Sequence, residues 1–207
     1  MVGPVELVTP RLRLRQWRPD DLTACARMVA DPEVMKFFPA PLSRTESDEL
    51  AARCRSLIEE RGWGFWAAEL REAATFIGFV GLHIPSADLP FSPCVEVGWR
   101  LAREHWSRGY ATEAATAALE FGFTTLGLGQ IVSFTTLGNV RSQAVMHRLG
   151  MRRDPEPFEH PALPVGHPLR AHCLYRLDRN VWLDRARPQA DAATSRSLPR
   201  NHGQPNG

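Results

Sequence analysis

VEVGWRLAREHWSRGYATEAATAA, residues 95–118, decides the fold of this chain. In its first part large apolar side chains alternate with small or polar ones, and this period of two predicts a half-buried β-strand from Val95 to Leu101. From Ala111 onward alanine and leucine recur at helical spacing, which predicts a helix with one small-residue face. A strand therefore leads into a helix through a short polar turn.

The turn, Trp106-Ser107-Arg108-Gly109-Tyr110-Ala111, ends in a glycine just before the helix begins. At the N-terminus of a helix the first backbone N–H groups lack intrahelical acceptors, and the helix dipole is positive. Such a point suits a phosphate or pyrophosphate. The stretch has neither the Gly-Lys-Ser/Thr of a Walker A loop nor the G-x-G-x-x-G of a dinucleotide fold.

The composition is that of an ordinary globular domain. With 207 residues, 43% of them hydrophobic and 23% charged, the chain can bury the core of one domain. A net charge of +2 is too small to predict a nucleic-acid partner. No apolar run approaches the ~20 residues that span a membrane, and the N-terminus has no apolar signal core. We therefore expect no membrane partner and a cytoplasmic location.

The cysteines predict neither a zinc site nor a disulfide framework. They are scattered along the chain without C-x-x-C spacing, at Cys25, Cys54, Cys94 and Cys173. Free, mostly buried thiols are the favoured interpretation.

The remaining segments predict a mixed sheet flanked by helices. Two helices are predicted, at 20–30 and 45–61, because capping residues and prolines mark their ends. Alternating or β-branched and aromatic runs predict strands at 7–17, 64–70, 75–84, 130–136 and 169–177. We therefore expect an α/β (α+β) fold, with one mixed central sheet of about six to seven strands, in residues 1–187. Residues 188–207 have few large apolar side chains and are expected to form a disordered tail.

Two of these strands carry residues with a structural meaning. In the first strand Arg11, Arg13 and Arg15 alternate with leucines, which predicts one solvated, basic face. In the run at 75–84, Gly78 predicts a bulge or a close approach of another backbone, as does Gly81.

A second motif follows the strand at 130–136. Asn139 stands where a helix would begin and Gly150 where it would end, so the plain interpretation is an N-cap and a C-cap of a short helix. This interpretation leaves room for a function of the same residues.

The turn in its strand-and-helix context resembles the pyrophosphate loop of the GNAT acetyltransferases, Gln/Arg-x-x-Gly-x-Gly/Ala. Gly109 and Ala111 match its last two positions, whereas Trp106 departs from the first. The run HWSRGYATEA is most similar to the RimJ/RimL-type branch. The resemblance covers about residues 7–177 and implies the GNAT fold, with a sheet splayed at the central strand. It also implies acetyl-CoA as co-substrate, no metal, and direct transfer to a primary amine.

The resemblance also implies which residues hold acetyl-CoA. Arg103 and Arg108 flank the turn and are candidate phosphate partners, although a solvated role suits each of them equally. In the second motif Asn139 and the early helix would face the pantetheine arm. The full expected set is Arg100, Leu101, Arg103, Trp106, Ser107, Arg108, Gly109, Tyr110, Ala111, Thr112, Asn139 and Ser142.

Two residues are candidates for catalysis. Glu96 lies ten residues before Trp106, the spacing at which some GNAT enzymes hold a general base, but a solvent-facing or salt-bridged glutamate is an equal alternative. Many GNAT enzymes protonate the departing thiolate with a tyrosine, where this chain has Met146. Ser142 matches the serine proposed for that role in RimL-like proteins, and a plain helix residue is the alternative. A backbone N–H near Arg100 would polarise the carbonyl.

The acceptor side is the least determined part of the sequence. Candidate acceptor contacts are Phe38, Trp66, His160 and His172, with core packing the more frequent fate of such aromatic residues. The histidine spacing across prolines matches no zinc signature, so no metal is expected.

Three functions follow from the resemblance. The RimJ/RimL likeness implies acetylation of a protein N-terminal α-amine. Related enzymes modify small amines such as polyamines and antibiotics, which is the alternative. A catalytically silent acyl-CoA-binding module is the third, and a monomer or a homodimer is expected in each case.

Overall fold

The computed structural model describes residues 4–86 and 88–186. The predicted tail, 188–207, and the predicted domain boundary before it lie outside the described residues. Across the described part, one mixed sheet is flanked by helices, as predicted.

The sheet has the strand order β1-β2-β3-β4-β5-β6-β9-β7, with β8 paired to β9. All neighbouring strands are antiparallel except β5 and β6, which are parallel. Within the described residues the sheet has nine strands, whereas the sequence predicts six to seven. Three of the nine are only two residues long, too short to show an alternating pattern. The strands are β1 Leu7–Val8, β2 Leu12–Arg15, β3 Phe65–Leu70, β4 Thr75–His83, β5 Glu96–Leu101, β6 Gln130–Thr136, β7 Arg152–Arg153, β8 Phe158–Glu159 and β9 Ala171–Asp178.

The helices begin and end close to where the sequence predicts. In the second helix Ser43 and Glu46 form a reciprocal capping box, and Gly62 ends the helix with a left-handed φ of 82°. No helix among residues 4–86 and 88–186 is long and apolar enough to cross a membrane. The helices are α1 Asp21–Ala30, α2 Arg44–Arg61, α3 Tyr110–Thr124, α4 Val140–Arg148 and α5 Arg179–Ala186.

The sheet has two faces, which we call front and rear. On the front face the ring of Trp17, just before α1, lies 5.9 Å from the ring of Phe79. Phe79 is directly opposite Arg100, so both side chains are on this face. On the rear face the ring of Trp66 packs edge-on against Phe121 of α3, with centroids 5.7 Å apart. Helix α3 therefore covers the rear, and the segment around α1 covers part of the front.

The parallel strands β5 and β6 meet at one register pair, Glu96 with Val132. There the N–H of Val132 donates to the carbonyl of Val95 at 2.9 Å. Farther along, β5 remains paired with β4 and β6 with β9, but not with each other. The sheet therefore splays at its central strand, as predicted. We call the gap between residues 97–101 and 133–136 the β5–β6 opening.

Backbone direction along β5 shows which groups face this opening. Alternate residues of a strand point their N–H and C=O groups to the same side. The N–H of Ala102 donates to Ile77 on the β4 side, whereas the carbonyl of Val95 accepts from β6. The backbone groups of Trp99 and Leu101 consequently face the β5–β6 opening, and those of Arg100 face β4.

Two glycines in β4 allow neighbouring backbones to approach. A Cβ at Gly78 would lie 2.2 Å from the carbonyl oxygen of Arg100, and its φ of +140° disfavours other residues. A Cβ at Gly81 would lie 1.9 Å from the carbonyl oxygen of Gly64. The predicted close approach is confirmed at both positions, and the register of β3 with β4 shifts at Ala68 and Glu69.

The prediction of a solvated basic face on the first strand is wrong for Arg15. This side chain is only 3% exposed, and its guanidinium bonds both carboxylate oxygens of Asp21, at 2.7 and 2.8 Å. Its Nε donates to Glu69 at 2.7 Å. The alternation correctly places Arg15 on the other face of the strand from the leucines. It cannot show that acids from α1 and β3 cover this face.

Replacing Arg15 by methionine should destabilise the protein by about 3–5 kcal/mol, because Asp21 and Glu69 would remain buried without their cation. Urea unfolding at pH 7 measures the loss. Arg55→Gln is the control, since it breaks only an exposed ion pair with Glu59 and should change stability by less than ~1 kcal/mol. Equal stabilities of the two variants would contradict this account of Arg15.

Candidate active site

The turn before α3 is shaped by two residues with left-handed backbone. Ser107 has a φ of 59° and Gly109 a φ of 80°. Gly109 is the N-cap of α3 and provides no side-chain cap. The N–H groups of the first helical turn, from Tyr110 to Thr112, therefore have no intrahelical or capping acceptor. Free N–H groups at the positive end of a helix suit an anion, and the pyrophosphate role of this turn stays a prediction.

Arg11 holds this turn to the start of β2, a role that the sequence analysis missed. Its Nη1 donates to the carbonyl of Arg108 at 2.9 Å, and its Nε donates to the carboxylate of Glu113 at 2.6 Å. Glu113 also accepts from the hydroxyl of Thr9 at 2.6 Å. These bonds lower the pKa of Glu113 although partial burial opposes them. The partners are about a hundred residues apart in sequence, so no local pattern indicates the contact.

A cleft of about 570 Å³ lies beside the turn. Arg148, at the end of α4, lines it opposite the anion site and was not predicted. Arg103, a predicted phosphate partner, instead lies 3.5 Å from Asp31 at the end of α1. The second predicted partner, Arg108, contacts Arg11 through its backbone carbonyl, which accepts from the guanidinium. The cleft is lined by Ser107, Gly109, Thr112, Glu113 and Arg148.

Trp106 occupies the first position of the loop, where Gln or Arg is usual, and acts there as a structural anchor. Its indole N–H donates to the carbonyl of Leu101 at 2.8 Å, at the end of β5. The guanidinium of Arg141, in the first turn of α4, lies 4.6 Å from the centre of its ring. Trp106 thereby links the two sides of the β5–β6 opening.

Asn139 caps α4, as predicted. Its Oδ1 accepts from the N–H of Ser142 at 3.3 Å, and its Nδ2 donates to the hydroxyl of Thr135 at 2.9 Å. Ser142 is half-buried in the first turn of α4, just after β6. Met146 is 1% exposed and belongs to the core. Gly150 follows the C-cap residue Leu149 and has a left-handed φ of 73°.

Glu96 is on the front face at the narrow end of the β5–β6 opening. Its Oε1 lies 3.6 Å from the position that a Cβ would take at Gly98, so the carboxylate leans along the strand toward the opening. Burial raises the pKa of this carboxyl to about 8. No hydrogen bond or ion pair in the described part of the chain involves it, so the alternative of a salt-bridged residue is not supported. A carboxyl with a pKa near neutrality can exchange a proton with an amine.

Arg100 contributes to the front face through its side chain. The guanidinium lies 3.9 Å from the centre of the Phe38 ring, in the loop between α1 and α2. Phe38 is 38% exposed, so it combines a protein contact with a free surface. Because the backbone of Arg100 faces β4, the neighbouring N–H that faces the β5–β6 opening is that of Trp99.

His160 and His172 meet on the same side, with ring centroids 4.9 Å apart. Nδ1 of His172 lies 3.0 Å from the carbonyl of Arg170, which leaves Nε2 as an acceptor, and Nδ1 of His160 accepts from the N–H of Ala162. Burial lowers the pKa of both imidazoles. Both rings contact Phe134, which follows Val132 on the front face of β6.

Trp66 does not belong to this group. It is fully buried on the rear face, and its indole N–H donates to the carbonyl of Val5 at 2.7 Å. The expectation that Trp66 lines an acceptor cleft is therefore wrong, because the ring has no exposed surface. Within residues 4–86 and 88–186, no three His, Cys, Asp or Glu side chains are grouped so that they could hold a metal ion.

Residues 11–152 match the family model described as acetyltransferase (GNAT) domain. Among curated proteins, the chain is 31% identical to the uncharacterized protein YkkB of Bacillus subtilis over 154 residues, 73% of this chain and 87% of YkkB. It is 27% identical to the FsC-acetyl coenzyme A-N(2)-transacetylase of Aspergillus fumigatus over 88% of this chain and 80% of that protein. A GNAT acetyltransferase structure from Bacillus anthracis superposes with a TM-score of 0.72 at 22% identity, covering 85% of this chain and 99% of that one.

Gly109→Ala should weaken CoA binding at least about tenfold, because a left-handed alanine costs ~1–2 kcal/mol and can relax only by moving the N–H donors. Its Cβ would also lie 3.3 Å from Nη2 of Arg11. Calorimetry with CoA measures the effect. Gly127→Ala is the matched control: φ is +68° and a Cβ there would meet nothing within 4 Å. If both variants bind CoA like the wild type, the turn is not the pyrophosphate site.

Proposed function

The chain belongs to the GNAT acetyltransferase family and is an acetyl-CoA-dependent N-acetyltransferase, and from this premise we propose that it acetylates a primary amine bound on the front face, with Glu96 as general base. The observation that carries the proposal is the carboxylate of Glu96, which is half-buried, has no partner among the described residues and leans toward the β5–β6 opening. The family membership favours an enzyme over a catalytically silent module.

The residues present fit acetyl-CoA, which supplies an acetyl group activated as a thioester. The free N–H groups from Tyr110 to Thr112 suit its pyrophosphate, and Arg148 provides a cation across the cleft. The backbone of Trp99 and the N–H of Leu101 face the β5–β6 opening and suit an amide-bearing arm that pairs like an added strand, whereas the carbonyl of Leu101 already accepts from Trp106. The N–H of Trp99 is our candidate donor to the carbonyl oxygen.

Glu96 would take the proton that the amine must lose. A lysine-type amine has a pKa of about 10.4 and reaches the enzyme mainly as ammonium at pH 7. A bound ammonium favours the ionised form of a nearby carboxylate, so binding itself would lower the raised pKa of Glu96 toward working pH. The neutral His172, whose Nε2 is a free acceptor, is the second candidate for this role.

Ser142 would serve the departing thiolate. A serine hydroxyl is too weak an acid to protonate it outright, so it would donate a hydrogen bond or relay a proton from water. The bond from its own N–H to Asn139 fixes the first turn of α4, and with it the position of the Ser142 side chain.

We place the chain in the RimJ/RimL-type branch, with a protein N-terminal α-amine as first candidate acceptor. The run HWSRGYATEA supports this branch. A small amine is the second candidate, supported by the relative whose name describes an acetyl coenzyme A N(2)-transacetylase. Release of free CoA with N-terminal peptides, polyamines and aminoglycosides separates the two.

Glu96→Gln should lower kcat/KM by about 10²–10⁴, the usual contribution of a positioned base. In the wild type, log kcat/KM should rise with pH toward about 8, where Glu96 ionises, and this limb should be missing from the variant. The acceptor's own ionisation should remain visible in both profiles. CoA release across pH 6–10 gives the measurement.

Glu104→Gln is the control for this experiment, since Glu104 is exposed at the end of β5 and should keep the wild-type profile. A small, pH-independent loss in Glu96→Gln would reject Glu96 as the base and favour His172.

Ser142→Ala should lower kcat while leaving the Kd of acetyl-CoA within about twofold, because the hydroxyl is proposed to act as the thiol leaves. Stopped-flow turnover and calorimetry give the two quantities. Wild-type kcat in the variant would show that bulk water or another group serves the thiolate.

A further inference from the structure

Arg100 is a cation without an acidic partner. Its Nε is buried and makes no hydrogen bond, and no ion pair among the described residues includes it. The nearby Cys25 and Cys54 do not compensate the charge, because burial raises the pKa of both thiols and keeps them neutral. Burial lowers the pKa of Arg100 to about 10, so it is still charged at pH 7.

Arg15, which is buried, shows how the charge of an arginine is compensated elsewhere in the chain. Arg15 is bonded by Asp21 and Glu69, so its charge is neutralised within the fold. Around Arg100 the packing is aromatic, with the rings of Phe38 and Phe79 at 3.9 and 5.2 Å from its guanidinium carbon. Cation–π contacts offset only part of the cost of removing a guanidinium from water.

The position of Arg100 relative to the proposed base suggests what completes its environment. Glu96, Gly98 and Arg100 follow one another on the front face, so Glu96 and Arg100 are about 13 Å apart between Cα atoms. They form no ion pair with each other, and Gly98 between them has no side chain. The ring of Phe65 lies over Gly98, 3.0 Å from where a Cβ would be. The front face therefore carries a carboxylate that attracts an ammonium and a guanidinium that lacks an anion, on either side of an aromatic ring.

The loop between α1 and α2 borders this part of the front face. Phe38 covers the guanidinium while keeping an exposed surface, and a Cβ at Gly138, just after β6, would lie 3.6 Å from the ring of Phe37. The loop thus reaches both strands of the β5–β6 opening.

We propose that Arg100 binds a carboxylate of the acceptor, so that the substrates are primary amines that also carry an acidic group. This inference rests on the proposed function, because it takes Glu96 as the place of the amine. A planar guanidinium binds carboxylates through two parallel hydrogen bonds, and no acid in the described chain forms an ion pair with that of Arg100. The carboxylate comes either from an acidic side chain near a peptide N-terminus or from a small amino acid-like amine.

Two matched acceptor pairs test the proposal and separate these sources. One is a pair of peptides with Glu or Gln at the second position, and the other is 5-aminopentanoate against pentylamine. The wild type should prefer the acidic member of at least one pair by about 10- to 100-fold in kcat/KM, mostly through KM. Arg100→Met should reduce this ratio to near one, and Arg100→Lys should keep part of it.

A binding measurement keeps the result independent of turnover. Ligand-observed NMR should detect 5-acetamidopentanoate, the acetylated product, on the wild type and not on Arg100→Met or Arg100→Gln. Should acetyl transfer fail while this difference persists, the proposed reaction is wrong and the anion site stands. Equal preference for the acidic acceptor in the wild type, Arg100→Lys and Arg100→Met would overturn the proposal. A variant that loses only melting temperature and keeps this preference would also overturn it and would give Arg100 a packing role.

Discussion

The separation of β5 from β6 is the constraint on which the rest of the structure depends. The two strands pair at one register position, Glu96 with Val132, before they part, and there the N–H of Val132 donates to the carbonyl of Val95. A strand whose edge is unpaired within a sheet keeps donors and acceptors that need partners. The turn before α3, the cap of α4 and the front-face carboxylate are all placed around this gap. The chain holds its shape there through connections at the rim, such as Trp106 between Leu101 and Arg141.

Buried charge is used in two opposite ways in this molecule. In the group of Arg15, Asp21 and Glu69, each charge has its counter-charge within the fold. These ion pairs contribute to a defined packing of α1 on the sheet. Glu96 and Arg100 are open, since neither has a partner in the described chain. For Glu96 the raised pKa has a stability cost: the contribution of its neutral form is fully present at acidic pH and is lost as pH rises through about 8. Uncompensated groups of this kind are typical of binding and catalytic sites.

The sequence predicts the elements of the fold well because their signals are local. The alternation from Val95 to Leu101, the small-residue face of α3 and the caps of α2 and α4 all depend on neighbours in the chain. The errors concern contacts between distant segments. The alternation of the first strand cannot show that acids from α1 and β3 cover Arg15, and no pattern near Arg11 indicates that it holds the turn before α3. Trp66 was grouped with Phe38 by residue type, whereas its position in β3 places it on the rear face.

The β5–β6 opening has a consequence for the lifetime of the protein. A ligand that supplies a missing strand binds the folded chain alone, so it stabilises that chain by RT ln(1 + [L]/Kd), about 2.7 kcal/mol at a hundredfold excess over Kd. The central sheet is then a composite of protein and metabolite. If acetyl-CoA is that ligand, as proposed, we expect a fall in its supply to remove the acetyl donor and also to lower the stability of this chain, which would make it more susceptible to proteolysis.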